Sequence, residues 1–159
     1  MINLKSKVAI LILIILNFMG IMINLPIEIG APPSYLNFIF SVFYLFVWVG
    51  FGIYFYTKKE LTIYLYMVQY WILVMFVATI DLIITLQNAQ VALDTSSMFH
   101  KLYGLSIVFD TLFLTPLYGS TVVFNLPLKE WFFSVILLSM IFVIFAISIM
   151  RKHKKLQLY

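Results

Sequence analysis

The chain has 159 residues, 64% of them hydrophobic and only 10% charged, with a formal net charge of +4. A soluble domain carries about 25% charged residues, so this composition belongs to a membrane protein and leaves no room for a separate soluble catalytic domain. The basic residues mostly flank apolar runs, as topology signals rather than a nucleic-acid surface, and the lack of cysteine excludes thiol-disulfide exchange, a cysteine nucleophile and thiolate metal sites.

Lys5 and Lys7 precede a charge-free run over residues 8–27. The start resembles a signal peptide, but the apolar stretch is too long for one and no small-x-small cleavage site follows, so an uncleaved signal anchor is expected. The first span is placed at 8–29, with Pro26 loosening its last turn. Gly30-Ala31-Pro32-Pro33-Ser34 forms a tight connection to a second span at 35–57, and Lys58-Lys59-Glu60 turns the chain into a third at 61–86. Residues 88–104 are the one long polar stretch, where Asp94, Thr95 or Ser96 can cap a helix. An apolar segment at 105–125 follows, interrupted by Asp110, Thr115, Pro116 and Gly119. Leu126–Glu130 is a turn, and the last span, 131–150, runs into the basic tail Arg151-Lys152-His153-Lys154-Lys155.

A hydrocarbon core about 30 Å thick needs about 20 apolar residues in helix, which each of the four uninterrupted runs supplies. The expected fold is all-α: residues 1–159 form a single transmembrane domain, a polytopic bundle of four transmembrane helices plus a fifth broken or re-entrant segment. Charge decides against a fifth crossing. With five crossings the basic residues split five and five between the two sides; with four, eight lie on the side of both termini and only Lys101 and Lys129 on the other. The second arrangement obeys the positive-inside rule and predicts a multi-pass cell-membrane protein with both termini cytoplasmic. The last span, whose polar side chains are only Ser134, Ser139 and Ser148, is expected to serve structural contact and lipid exposure.

Polar residues in the spans fall in stripes. Asn17, Asn24 and Glu28 lie within about 40° of one another at 100° per residue, with Gly20 beside them. Asn37, Ser41, Tyr44, Trp48 and Gly52 form a second stripe, and Tyr70, Val77, Asp81, Thr85 and Asn88 a third. Interhelical hydrogen bonding and close packing through small residues account for one such face per helix. Carboxylates at membrane depth cost several kcal/mol and mark function more often. By helix length Glu28, Asp81 and Asp110 reach one level near the outer face, which predicts an outward-facing pocket for a ligand or cation with Asn24 and Thr85 as neighbours. Tyr44, Trp48, Tyr70 and Trp71 lie deeper and are expected to line an aromatic cavity or to pack the bundle.

The remaining chemistry is sparse. Two histidines, His100 and His153, lie outside the spans, so neither a bis-histidine haem nor a histidine metal site is expected, and no cofactor is implied. The Asp94, Ser96, Ser97 and His100 group reads as helix capping. The leading expectation is a non-enzymatic membrane protein that binds a partner in or at the outer face of the bilayer, as an accessory subunit or an immunity-type guard against a membrane-active toxin. The alternatives are a small carrier of a lipophilic or cationic ligand using the acidic pocket, and an enzyme acting on a lipid or isoprenoid through Asp81, Asp110 or Glu28.

Overall fold

A computed structural model describes residues 4–28, 34–58, 61–86, 107–120 and 127–156, and all the regular structure among them is helical. Four long helices, α1 (Leu4–Glu28), α2 (Tyr35–Lys58), α3 (Leu61–Leu86) and α4 (Leu128–Leu156), are each long and apolar enough to cross a membrane. Between α3 and α4 the chain is α-helical over residues 107–113, then tightens into a 3-10 helix, η1 (Thr115–Ser120). The polar stretch 88–104, the 30–33 connection and the Glu28 side chain lie outside what is described.

Side-chain contacts set the direction of each helix. Asn24, near the end of α1, meets Asn37 and Ser41 near the start of α2, whereas the first turns of α1 share a groove with Phe51, Tyr54 and Phe55. Tyr64 in the first turn of α3 donates to the Gly52 carbonyl late in α2 at 2.5 Å, and Lys152 near the end of α4 donates to the Tyr56 hydroxyl at 2.9 Å. Helices α1 and α3 therefore run one way and α2 and α4 the other. Leu4 and Leu156 both lie at the Lys58 end. The chain leaves α3 and enters α4 at the opposite, Glu28 end, so residues 87–127 begin and finish on one side of the bundle.

Three of the helices extend past the expected spans. α1 begins at Leu4 rather than Val8 and takes in both leading lysines. α2 runs one residue further, to Lys58. α4 starts at Leu128 and continues through the basic tail to Leu156. Both ends of α4 suit its macrodipole, with Glu130 in the first turn and the cationic run in the last two. Capping fixes α2: Ser34 and Asn37 bond reciprocally, Ser34 N donating to Asn37 Oδ1 at 2.8 Å and Asn37 N to Ser34 Oγ at 3.5 Å.

Helices α3 and α4 form the tightest pair. Their buried residues alternate by four and three: Ile63, Met67, Tyr70, Val74, Val77 and Asp81 on α3, and Phe132, Val135, Ser139, Phe142, Ala146 and Ile149 on α4. That period gives each helix one continuous buried face, on which Tyr70 turns to Tyr44, Trp48 and Asn17 of α1 and α2. Fully buried Ala78, Ser139 and Ala146 let the backbones approach, and Trp71 stacks on Phe142 with ring centroids 4.3 Å apart. The opposite face of α4 exposes Phe133, Leu137, Met140, Ile141 and Ile144 and is mostly apolar, with Ser134 and Ser148 also exposed. An exposed apolar surface of that extent is what a helix facing lipid or a partner protein presents.

Candidate functional site

The most chemically organised part of the molecule is where η1 sits between α1 and α2. Pro116 explains why the helix breaks there. It has no N–H to give to the Leu112 carbonyl four residues back, and its ring would crowd that carbonyl. The α-helix stops at residue 113, and the next turn closes as a tighter bond from Leu117 N to Leu114 O at 2.8 Å. The carbonyl thus released is taken by α1: Asn17 Nδ2 donates to Leu112 O at 2.9 Å. The Pro116 carbonyl accepts from both long helices, from Asn24 Nδ2 at 3.1 Å and Ser41 Oγ at 2.8 Å.

Asn37 joins α2 to the end of α1 that carries Pro26. Its Nδ2 donates to the Ile23 carbonyl at 2.7 Å and to Asn24 Oδ1 at 3.0 Å, while its Oδ1 caps α2 through Ser34. Asn24 Nδ2 also reaches Ser41 Oγ at 3.2 Å. One turn further into the bundle, the hydroxyls of Tyr44 and Tyr70 stand 2.6 Å apart, each 2.9 Å from Asn17 Oδ1. Two phenolic hydrogens serve three contacts, so the triangle shares them.

Close approach makes this packing possible. A Cβ on Gly119 would lie 1.9 Å from the Asn37 carbonyl oxygen, and one on Gly20 would lie 2.8 Å from Pro116 Cβ. Only glycine fits at Gly119.

The residues singled out from sequence are placed as follows. Asn24 lies in the network just described. Thr85 is exposed, and its hydroxyl donates to the Asp81 carbonyl on its own helix at 2.7 Å. Asp81 is buried on the stripe of α3 that also carries Tyr70 and Val77. Asp110 is half-buried and accepts from Tyr118 at 2.8 Å, and the Tyr118 ring stacks on Trp131 with centroids 4.6 Å apart. Tyr44, Trp48, Tyr70 and Trp71 converge in one packed cluster, with Trp48 stacked on Tyr70 at 4.8 Å and edge-on to Trp71 at 5.6 Å. No group of three His, Asp or Glu side chains suited to a metal occurs among the described residues.

A cleft of about 320 Å³ opens between α2, η1 and α4, lined by Leu45, Leu117, Ser120, Trp131, Val135 and Leu138, with Ser134 at its edge. Its walls are apolar. Ser120 Oγ is engaged, accepting from Trp131 Nε1 at 2.9 Å and donating to the Leu117 carbonyl at 2.7 Å. Reasoning from sequence passed over this cleft and gave Asn37 and Ser41 interhelical hydrogen bonding without their partners. The available signal was Pro116: a proline within an apolar run leaves a carbonyl four residues earlier that a neighbouring side chain must satisfy. No protein-family model, curated protein or solved structure matches the chain, so the geometry of the site alone carries the functional argument.

Proposed function

We propose that this is a non-enzymatic integral membrane protein that acts by binding a partner within or at the outer face of the bilayer. In this reading α1–α4 cross the membrane, both termini are cytoplasmic, and residues 107–120 belong to a re-entrant segment entered from the outer side. The carrying observation is that the amide and hydroxyl groups between α1, α2 and η1 are engaged with one another and with backbone carbonyls. A network of that kind holds a shape; it leaves those groups no spare capacity to bind a solute. The apolar cleft beside Trp131 is where a membrane-embedded partner would reach the bundle.

The test is affinity purification of the full chain in mild detergent, with a photo-crosslinking side chain placed at Leu138 in the cleft or at Ile144 on the opposite face. A stoichiometric membrane partner captured from Leu138 and not from Ile144 supports the reading. Saturable solute uptake by vesicles containing this protein alone would overturn it in favour of a carrier. Burial of Asp81 within an apolar helix favours that second reading, and loss of uptake in D81N would identify the carboxylate responsible. Lipid turnover by the purified chain would point instead to an enzyme.

A further inference from the structure

The described residues include four side-chain amides, those of Asn17, Asn24, Asn37 and Gln69. The three asparagines bond to neighbouring elements. Gln69 is exposed on α3, and its side chain has no hydrogen bond among the described residues. It stands about 12 Å along the helix from Leu61, within the reach of a hydrocarbon core about 30 Å thick. Exposed hydroxyls on the same apolar surface are satisfied locally, Thr79 donating to the Met75 carbonyl and Ser134 to the Glu130 carbonyl. That remedy fails a carboxamide, whose oxygen also needs a donor, because every N–H in a helix interior is already engaged.

The surroundings of Gln69 form a pattern. Leu65, Gln69, Ile72, Phe76, Thr79 and Ile83 are spaced alternately four and three apart, and all six are exposed. They share one face of α3, opposite its buried face of Met67, Tyr70, Val74 and Val77. A largely apolar stripe of that period with a single amide in it is the pattern of a helix-pairing seam, in which the amide fixes register.

We infer that two copies of this chain pair through the outer face of α3, their Gln69 carboxamides bonded to each other. The inference rests on the membrane reading above. Copies inserted in one orientation have parallel α3 helices, so a twofold axis along the membrane normal sets each residue beside itself at the same depth. A carboxamide there is its own complement, since each N–H donates to the other's oxygen. Any other partner must bring both a donor and an acceptor to that depth, whereas symmetry supplies them from Gln69 itself. Two such bonds between helices in lipid are worth about tenfold in the dissociation constant of the pair.

The chain lacks cysteine, so single introduced cysteines can report the contact. In proteoliposomes, fluorescence transfer between full-length copies labelled through Y35C should appear and then fall on dilution with lipid. Q69L, at an exposed position, should move the dilution midpoint about tenfold toward dissociation. Oxidation of I72C should give a covalent dimer, and oxidation of I144C on the outer face of α4 should not. Absence of transfer at every protein-to-lipid ratio overturns the pairing. So does transfer indifferent to Q69L, or cross-linking through I144C in preference to I72C. Capture of a different protein, and no second copy, by a photo-crosslinking side chain at Ile72 in native membranes would overturn it as well. Extraction of the native protein by alkaline carbonate would overturn the membrane reading itself. Resistance to extraction by a chain that stays monomeric would sink the pairing alone.

Discussion

The two halves of this bundle are held together by different physics. Helices α3 and α4 pack through buried faces of four-three spacing, and the buried Ser139 hydroxyl bonds within its own helix, to the Val135 carbonyl. Helices α1 and α2 meet through amides and hydroxyls that cross between elements and end on the carbonyls of Ile23, Leu112 and Pro116. Ala78, Ser139 and Ala146 are fully buried where α3 and α4 pack. Between helices in lipid, van der Waals fit through small residues of that kind would be the main drive to associate. In the other half the drive is the cost of a backbone carbonyl left bare where no water can reach it.

The contrast is open to attack at its most constrained point. G119A sets a methyl group 1.9 Å from the Asn37 carbonyl oxygen, so η1 cannot stay seated. The expected loss is about 4 kcal/mol or more, in the range reserved for severe steric conflict. Hydrogen exchange in detergent should rise over α1, α2 and 107–120 while the α3–α4 seam stays protected. Equal loss of protection in both halves would show that they unfold as one unit.

Overfilling the dry seam should come next. A146L inserts a larger side chain where Ala146 is fully buried, at a cost of about 1–3 kcal/mol. I144L, at a position on the same helix that is 64% exposed, should change stability by less than about 0.5 kcal/mol. Steric trapping or denaturant titration of the two variants measures the gap. Indistinguishable effects would deny that α4 has distinct buried and lipid-facing sides.

A double variant, N24L/S41A, removes both donors to the Pro116 carbonyl and should cost about 1–3 kcal/mol, as expected for an acceptor stranded in a buried site. The subtlest test couples residues from two elements. Asn17 bonds the Leu112 carbonyl that Pro116 leaves open. N17L should therefore be less harmful in a P116A background, where the helix can satisfy that carbonyl itself, with a coupling of about 1 kcal/mol. Additive effects in a double-mutant cycle would mean that Asn17 matters for some reason other than repair of the broken helix.

Much of the α3–α4 half was legible beforehand. Side-chain periodicity is written in the order of residues: of the helix-three stripe of Tyr70, Val77, Asp81, Thr85 and Asn88, the first three are buried, Thr85 is exposed and Asn88 lies outside the described residues. The stripes on α1 and α2 were legible as stripes, but their partners were not. A partner such as the Leu112 carbonyl belongs to the backbone, carries no residue-type signal and lies 95 positions from Asn17. Charge counting by the positive-inside rule favoured an even number of crossings, and α3 and α4 do meet the 87–127 segment at one end of the bundle. Helices α1 and α4 run past the expected apolar spans because charge does not end a helix. Lysine and arginine extend a helix comfortably, and cations at the C-terminal end of α4 suit its dipole.

From residue order alone came the class of the protein: the length of its apolar runs demands helices, because only a helix bonds its own backbone away from water. Residue order also set the sorting of charge to one end, since the helices alternate in direction and the lysines sit at their termini. Tertiary structure decided the rest. Which carbonyl each asparagine serves and why Gly119 can be nothing larger both depend on distances between segments far apart in the chain. Close packing allows a single arrangement of such neighbours, and spacing along one helix carries no record of what the next will bring against it.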